Sequence, residues 1–484
     1  METFIKKRQS VVIIILSAIL LMSLFFYFED FETVGIVVAC ICSCIIVLGI
    51  LFYNVKWYYL ITIALIPISI DTIVLGGAKI NLPAEGLIAL VIPVTLLFSS
   101  WDKQKFIRVL KHPLTILLMI DVLVQFVSAL LGTHLDVSLK RLAIRVVFII
   151  GFYFFISLLN SKKDVLKILL AYSIGLIPVM FFTLKNHFGY SFDPKVVFSI
   201  CQPFFNDHTI YGACLAFVIP LFVILVKNRK VFGIKKTHIT YLIILGIFII
   251  ISEVLALSRA SILSLAVALM FYVGMYFRMK FSHLIIGFVV VVSVLFVFKN
   301  DIYSSIERNE SVSNDGEIVN HFSSVTNVQS DASNLERINR WVCAYRMFEE
   351  KPFLGYGPGT YQFEYNQFQT LDNKTYISTN RGDRGNAHSE YLTYLSETGI
   401  FGFIVFVLTV FVSIYYGMKN YYQLKNQYLK ALNLAVLLGL VTFYFHGLFN
   451  SFIDQGKMAF LYFGGLAVIV FINLNFVNTK TESE

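Results

Sequence analysis

The sequence predicts an all-α integral membrane protein of about 12–14 transmembrane helices with one large, partly helical extracytoplasmic loop. Three observations carry that expectation. Apolar runs close to the roughly 20 residues needed to cross a bilayer recur along most of the 484 residues. Hydrophobic residues make up 57% of the chain against 14% charged, and the mean hydropathy is +0.74. One polar stretch, between Asn300 and Gly399, interrupts the pattern.

Taken in order, the runs before this insert are Val11–Phe28, Val34–Tyr53, Trp57–Leu75, Gly86–Ser100, Pro113–Gly132, Leu142–Leu159, Val165–Leu184, Thr209–Val226, Ile239–Leu257, Ser261–Phe277 and Leu284–Phe298. Ile400–Met418, Ala431–Asn450 and Met458–Phe476 follow it. Lipid offers backbone groups no hydrogen-bond partner, so each run is expected to be a helix rather than a strand. Val11–Phe28 is read as a retained first helix, because no small-residue cleavage site follows it. The chain divides into an N-terminal membrane domain (1–298), a large extracytoplasmic loop (299–399) and a C-terminal membrane segment (400–484).

Basic residues set the orientation, since positively charged short loops stay in the cytoplasm. Lys6, Lys7 and Arg8 share that side with Trp101–His112, Asn160–Lys167, Lys227–His238 and Lys419–Lys430, which carry four, three, five and three Lys or Arg. The insert then faces outward. Counted from Lys299 it holds nine basic and fourteen acidic residues, a balance of −5, although the whole chain is +9. The positive excess is therefore topological, and no nucleic-acid partner is expected.

Cys40, Cys42, Cys44 and Cys214 fall in apolar runs, and only Cys201 and Cys343 are expected on the outside, where a disulfide is chemically permitted. With no CxxC pattern and no Gly-rich phosphate loop, neither a metal cluster nor a cofactor is expected.

Charged side chains inside a span are costly and tend to line a cavity or substrate path. Arg145 lies within the sixth run, with Lys140 and Arg141 at its outer end, and Arg259 occupies the minimal turn between Ile239–Leu257 and Ser261–Phe277. Lys140 and Arg141 suit snorkelling to head groups as well as ligand binding. For Arg145 and Arg259 a buried anion is the expected partner, and a guanidinium fork matches phosphate oxygens.

Within the insert, Asp301–Ser333 reads as an irregular surface loop. Ser333 and Glu336 then form a capping-box pattern, and Leu335, Ile338, Trp341, Val342, Tyr345 and Phe348 recur at helical spacing up to about Lys351. Arg337, Arg340 and Arg346 are its polar positions, either solvated or in contact with an anion. The glycines of Gly355-Tyr-Gly-Pro-Gly359 allow close backbone approach to a ligand, and the aromatics Tyr356 to Tyr376 suit sugar stacking or loop packing. A second helix opens near Asn386-Ala-His-Ser-Glu390 and places His388, Tyr391, Leu392 and Leu395 on one face. His388 can accept a proton there, or serve as a hydrogen-bonded structural residue.

The motifs Asn334-Leu-Glu-Arg-Ile-Asn-Arg-Trp341, Lys351-Pro-Phe-Leu-Gly-Tyr-Gly-Pro-Gly359 and Ala387-His-Ser-Glu-Tyr-Leu-Thr-Tyr-Leu-Ser-Glu-Thr-Gly-Ile-Phe-Gly402, with Leu257-Ser-Arg-Ala-Ser261 and Phe205-Asn-Asp-His-Thr-Ile-Tyr-Gly212, resemble the O-antigen ligase and polymerase superfamily of bacterial envelope glycan enzymes. The resemblance covers roughly Leu139 to Asn450. It implies a membrane-embedded, GT-C-like glycosyltransferase of the bacterial cytoplasmic membrane that needs no metal. The donor it implies is a glycan on undecaprenyl diphosphate, and the acceptor is a hydroxyl of the lipid A core or of a second lipid-linked glycan. On this resemblance His388 and Arg259 are the catalytic pair, and Arg145, Arg141, Arg337, Arg340 and Tyr391 bind diphosphate or substrate. Ligase is the first expectation and repeat-unit polymerase the alternative. A lipid-linked oligosaccharide flippase is the competing class; such proteins usually show repeated halves, which are not visible here.

Overall fold

The computed structural model describes residues 54–73, 79–297, 332–369 and 385–477. The first two apolar runs, nearly all of Asp301–Ser333, and Tyr376 lie outside them.

Apart from the second half of Trp57–Leu75, the apolar runs within the described residues are helical, and eight helices there are long and apolar enough to cross a membrane. These are α4 (Pro113–Leu131), α6 (Lys162–Gly189), α7 (His208–Lys227), α8 (Lys236–Leu255), α9 (Arg259–Tyr276), α13 (Glu390–Gln423), α14 (Gln427–His446) and Gly456–Val477, whose α-helical part is α15 (Gly456–Ile472). Shorter or interrupted apolar helices are α1 (Val55–Leu65), α2 (Ala84–Trp101), α5 (Leu135–Phe148) and α10 (Phe281–Val297), and an amphipathic α3 (Lys103–Leu110) lies between α2 and α4. After α5 a π-helical segment, Ile149–Phe154, and a last turn, Phe155–Ser157, extend the run. The all-α integral membrane fold expected from composition is the one present.

The run Trp57–Leu75 departs from expectation. Its helix stops at Leu65, and Ile70–Ile73 pairs antiparallel with Lys79–Leu82 as a small hairpin. Ile70, Thr72 and Ile73 are β-branched and favour an extended strand, and Asp71 among them does not suit a membrane span. Hydropathy averaged over a window conceals such a switch.

Helices α7, α14 and α15 form the hub and are buried around most of their circumference. A Cβ at Gly439 would meet Phe217 at 2.8 Å, so glycine lets α14 seat against α7. Asn473 Nδ2 donates to Asn420 Oδ1 (2.8 Å), and Asn433 Nδ2 donates to the Gly417 carbonyl (2.8 Å), polar contacts that tie α13 to α14 and the chain end.

The insert packs as a second, smaller core. Its helix α11 (Ala332–Glu350) buries Glu336, Asn339, Arg340, Cys343, Ala344 and Met347 against Tyr356, Tyr361 and Tyr365. This face is offset from the apolar stripe Leu335 to Phe348, and Tyr345 on that stripe is 52% exposed. Small residues and an internally paired Glu336–Arg340 fit under the tyrosines where bulkier groups would not (Nε–Oε1 2.8 Å). Helix α11 has already begun at Ala332, so Ser333 lies in its first turn, and Glu336 reaches forward to Arg340.

Gly355 and Gly399 lock the insert to α13. Both have φ of +64°, and a Cβ would meet the Glu397 backbone at 2.4 Å or the Phe353 backbone at 2.3 Å. These two glycines thus serve close approach of the chain to itself. Gly399 breaks the helical path of α13 where insert meets span.

Candidate functional site

The loop Gly447–Gln455, between α14 and α15, organises the charged groups. Asp454 accepts from Arg145 through Nε (2.7 Å) and Nη2 (2.7 Å), and from Arg141 Nε (2.8 Å). Burial opposes its ionisation, but the two guanidinium groups win and hold the Asp454 carboxyl below the usual range. Arg145 also donates to Tyr394 Oη (2.6 Å) and to Asp121 Oδ2 (3.3 Å), and Gln125 Nε2 donates to the same oxygen (2.7 Å). The buried anion expected beside Arg145 is therefore internal. Its fork is bidentate on Asp454, and only 5% of its side chain is exposed, whereas 35% of Arg141 remains open.

Next along the loop, the Phe452 and Ile453 amides donate to Glu390 Oε1, and Ser451 Oγ donates to Glu390 Oε2 (3.2 Å). Asn386 Nδ2 donates to the Ser451 carbonyl (3.1 Å). One loop so holds Asp454 for the arginines and Glu390 for the base of the insert.

His388 sits just before this helix, not on its apolar face. Ser389 is the N-cap of α13, and His388 has φ of +47°, a left-handed conformation that costs a β-carbon residue energy. The strain is held by neighbours. Asn386 Oδ1 accepts from the His388 amide (2.9 Å), and Trp341 Nε1 donates to its carbonyl (3.3 Å). Burial, then the charges of Arg340 and Arg337, lower the imidazole pKa to about 3, against a smaller opposing contribution from Asn450. The ring is thus neutral, and a weaker base than a free imidazole until a negative charge comes near it.

Arg340 is buried, donates to Glu336 and to the Asn386 carbonyl (3.2 Å), and lies 5.0 Å from the Tyr365 ring centroid. It clamps the loop that carries His388. Arg337 is half-buried on the same helix, next to His388 and to His446, whose ring nitrogens are buried without hydrogen-bond partners. Tyr391 donates to the Tyr444 carbonyl (3.2 Å), which fastens α13 to α14.

Arg259 opens α9 after the N-cap Ser258, and Leu257 before them takes a left-handed φ of +48°. Gly212 packs against Ser258 and Ser261 beside it, and His208 Nδ1 bonds the Ala256 carbonyl (2.7 Å). This corner joins α7, α8 and α9. Cys201 and Cys343 are both buried and free. Among the described residues no three His, Cys, Asp or Glu gather in a metal-ligating group.

Sequence reasoning missed Asp454, Glu390, Glu397 and Asp121. Signals were present: Asp454 is the sole acidic residue between 400 and 477, and Asp121 interrupts an apolar run. Glu397 Oε2 accepts from the Gly359 amide (2.7 Å) and Oε1 from the Tyr361 amide (3.1 Å).

Fold and charged network together define a multi-pass membrane protein whose helical insert is seated on an arginine- and carboxylate-rich junction. Residues 241–407 match the family model described as O-antigen ligase, which supports the superfamily resemblance of the insert motifs over that segment. The match takes in the Arg259 turn, the Arg337–Arg340 helix, the glycine turn and His388. No curated protein matches the chain.

Proposed function

We propose that the protein transfers a glycan from undecaprenyl diphosphate to an acceptor hydroxyl at the outer face of the cytoplasmic membrane, with the insert facing outward. The observation that carries this reading is His388, a neutral imidazole held in a left-handed conformation between an arginine pair and the Asp454 loop. Such an imidazole orients the acceptor hydroxyl and takes its proton as oxygen attacks the anomeric carbon. The C–O bond to diphosphate breaks as the glycosidic bond forms, and a single displacement inverts the centre.

Diphosphate leaves readily once its charge is held. Arg337, Arg259 and the open part of Arg141 are assigned to hold it. Arg145 is assigned to Asp454, through which it positions Arg141. Arg340 positions His388, and Tyr391 the helix beneath it. A diphosphate beside Arg337 offsets the field that depresses His388, so donor binding raises the basicity of the histidine.

Ligase activity is the reading favoured by the family description, with the lipid A core as acceptor; a second lipid-linked glycan as acceptor makes the protein a polymerase. The surface glycans of a deletion strain separate the two. Accumulated long lipid-linked chains mean a lost ligase, and single repeat units on the core mean a lost polymerase. Normal surface glycans would overturn both.

A further inference from the structure

The other end of the helices from the candidate site carries a second concentration of charge. A cavity of about 610 Å³ lies between the turn from α9 to α10 and the junction of α13 with α14. Arg278, Lys280, Lys419 and Lys430 line it, and no acidic side chain does. Its cations are held in place. Arg278 takes a left-handed φ of +57°, and Tyr422 fixes its turn by donating to the Met279 (3.0 Å) and Met275 (3.3 Å) carbonyls. The Lys430 ammonium lies 4.6 Å from the Tyr421 ring centroid, and that of Lys419 lies 5.6 Å from Tyr416.

A second cavity, of about 620 Å³, adjoins it and shares Tyr421 and Lys430. It runs between α7, α8, α9 and α14 and is lined mainly by aliphatic side chains such as Ile224, Leu265, Leu269 and Leu434, with Glu253 as its acidic residue, on α8 and outside the basic chamber. Lys227 stands near its mouth, donating to Tyr272 Oη (2.5 Å). A basic chamber opening on an aliphatic groove has the form of an amphiphile.

We propose that the two cavities are one binding site for an anionic phospholipid, with its phosphate among Arg278, Lys280, Lys419 and Lys430 and an acyl chain in the aliphatic groove. Free phosphate would leave the groove empty of its apolar complement. A zwitterionic lipid would bring an ammonium group to a chamber with no carboxylate to receive it. The lipid ties the α9–α10 turn to the α13–α14 junction, and the far ends of these helices carry Arg259, Glu390 and His446.

The test uses the full chain in detergent. Native mass spectrometry and thermal melts are titrated with phosphatidylglycerol, with phosphatidylcholine of the same acyl chains, and with inorganic phosphate. Phosphatidylglycerol is expected to stay bound and raise the melting temperature, whereas the other two do neither. R278Q/K280Q/K419Q is expected to lose about a hundredfold in affinity, at roughly fivefold per charge. Should that variant fail to fold, K280Q and K419Q each carry the test with a loss of about fivefold. Equal retention of phosphatidylcholine, an equal shift with phosphate, or unchanged affinity in the variants would overturn the proposal.

Discussion

Asp454 is a single carboxylate on which two arginines from another helix converge, and its removal leaves the buried Arg145 and the partly exposed Arg141 without their main partner. Breaking a buried pair of this kind costs about 3–5 kcal/mol. We expect Asp454→Ala to lower the melting temperature of the purified protein markedly, and Asp454→Glu to restore part of it. His388 makes a separate expectation about pH. The unfolded chain takes up this proton near pH 6.5, but the folded imidazole resists until about pH 3. The unfolded state therefore binds more protons below about pH 6.5, and stability falls as pH drops through that window. His388→Gln should flatten the dependence of melting temperature on pH between about 6 and 4, and an unchanged slope would refute the buried, neutral ring. Asp454 acts in a different window. Its contribution is complete above the unfolded carboxylate value near 4 and fades as pH falls further. His388 was legible in the sequence as a candidate through the Ala387–Gly402 motif, although its spacing with Tyr391, Leu392 and Leu395 suggested an apolar-face position. Its backbone conformation was not, because the left-handed φ is held by Trp341, 47 residues away, together with the neighbouring Asn386 side chain.

At the scale of elements, the glycine turn and the break in α13 form one joint. The Tyr356 amide donates to the Ser396 carbonyl (3.1 Å) and the Gly357 amide to the Glu397 carbonyl (2.8 Å), while the Glu397 side chain takes the amides of Gly359 and Tyr361. Gly399→Ala adds a Cβ at 2.3 Å from backbone and forces a left-handed alanine. It should release the insert from the span, seen as faster limited proteolysis of residues 332–369. Protease resistance equal to wild type would show that the joint is not needed. Helix α11 was legible as a helix from its spacing, yet its buried face was misassigned. Periodicity counts apolar side chains, and here two of the largest buried groups are a glutamate and an arginine that satisfy each other. The transmembrane helices were the easiest elements to read, since lipid leaves the backbone no alternative. The hairpin after α1 was lost because four-residue strands barely alter a hydropathy average.

Across the whole molecule, the membrane helices supply a fixed frame, and the Gly447–Gln455 loop joins that frame to the insert. Charge separates the two ends, with His388, Arg337 and Asp454 at one and the Arg278–Lys430 cluster at the other. The contacts that decide the site cross the sequence over long separations. Arg145 and Asp454 are 309 residues apart, so no local pattern announces their pairing. The central claim is that this junction breaks the bond between glycan and undecaprenyl diphosphate with His388 as base. Its most direct measurement is release of undecaprenyl diphosphate by the purified protein, supplied with lipid-linked glycan and acceptor. Wild type is expected to release it stoichiometrically with transfer, and folded His388→Ala to do so at least about a hundredfold more slowly; movement of the donor without release, or full release by His388→Ala, would contradict the account.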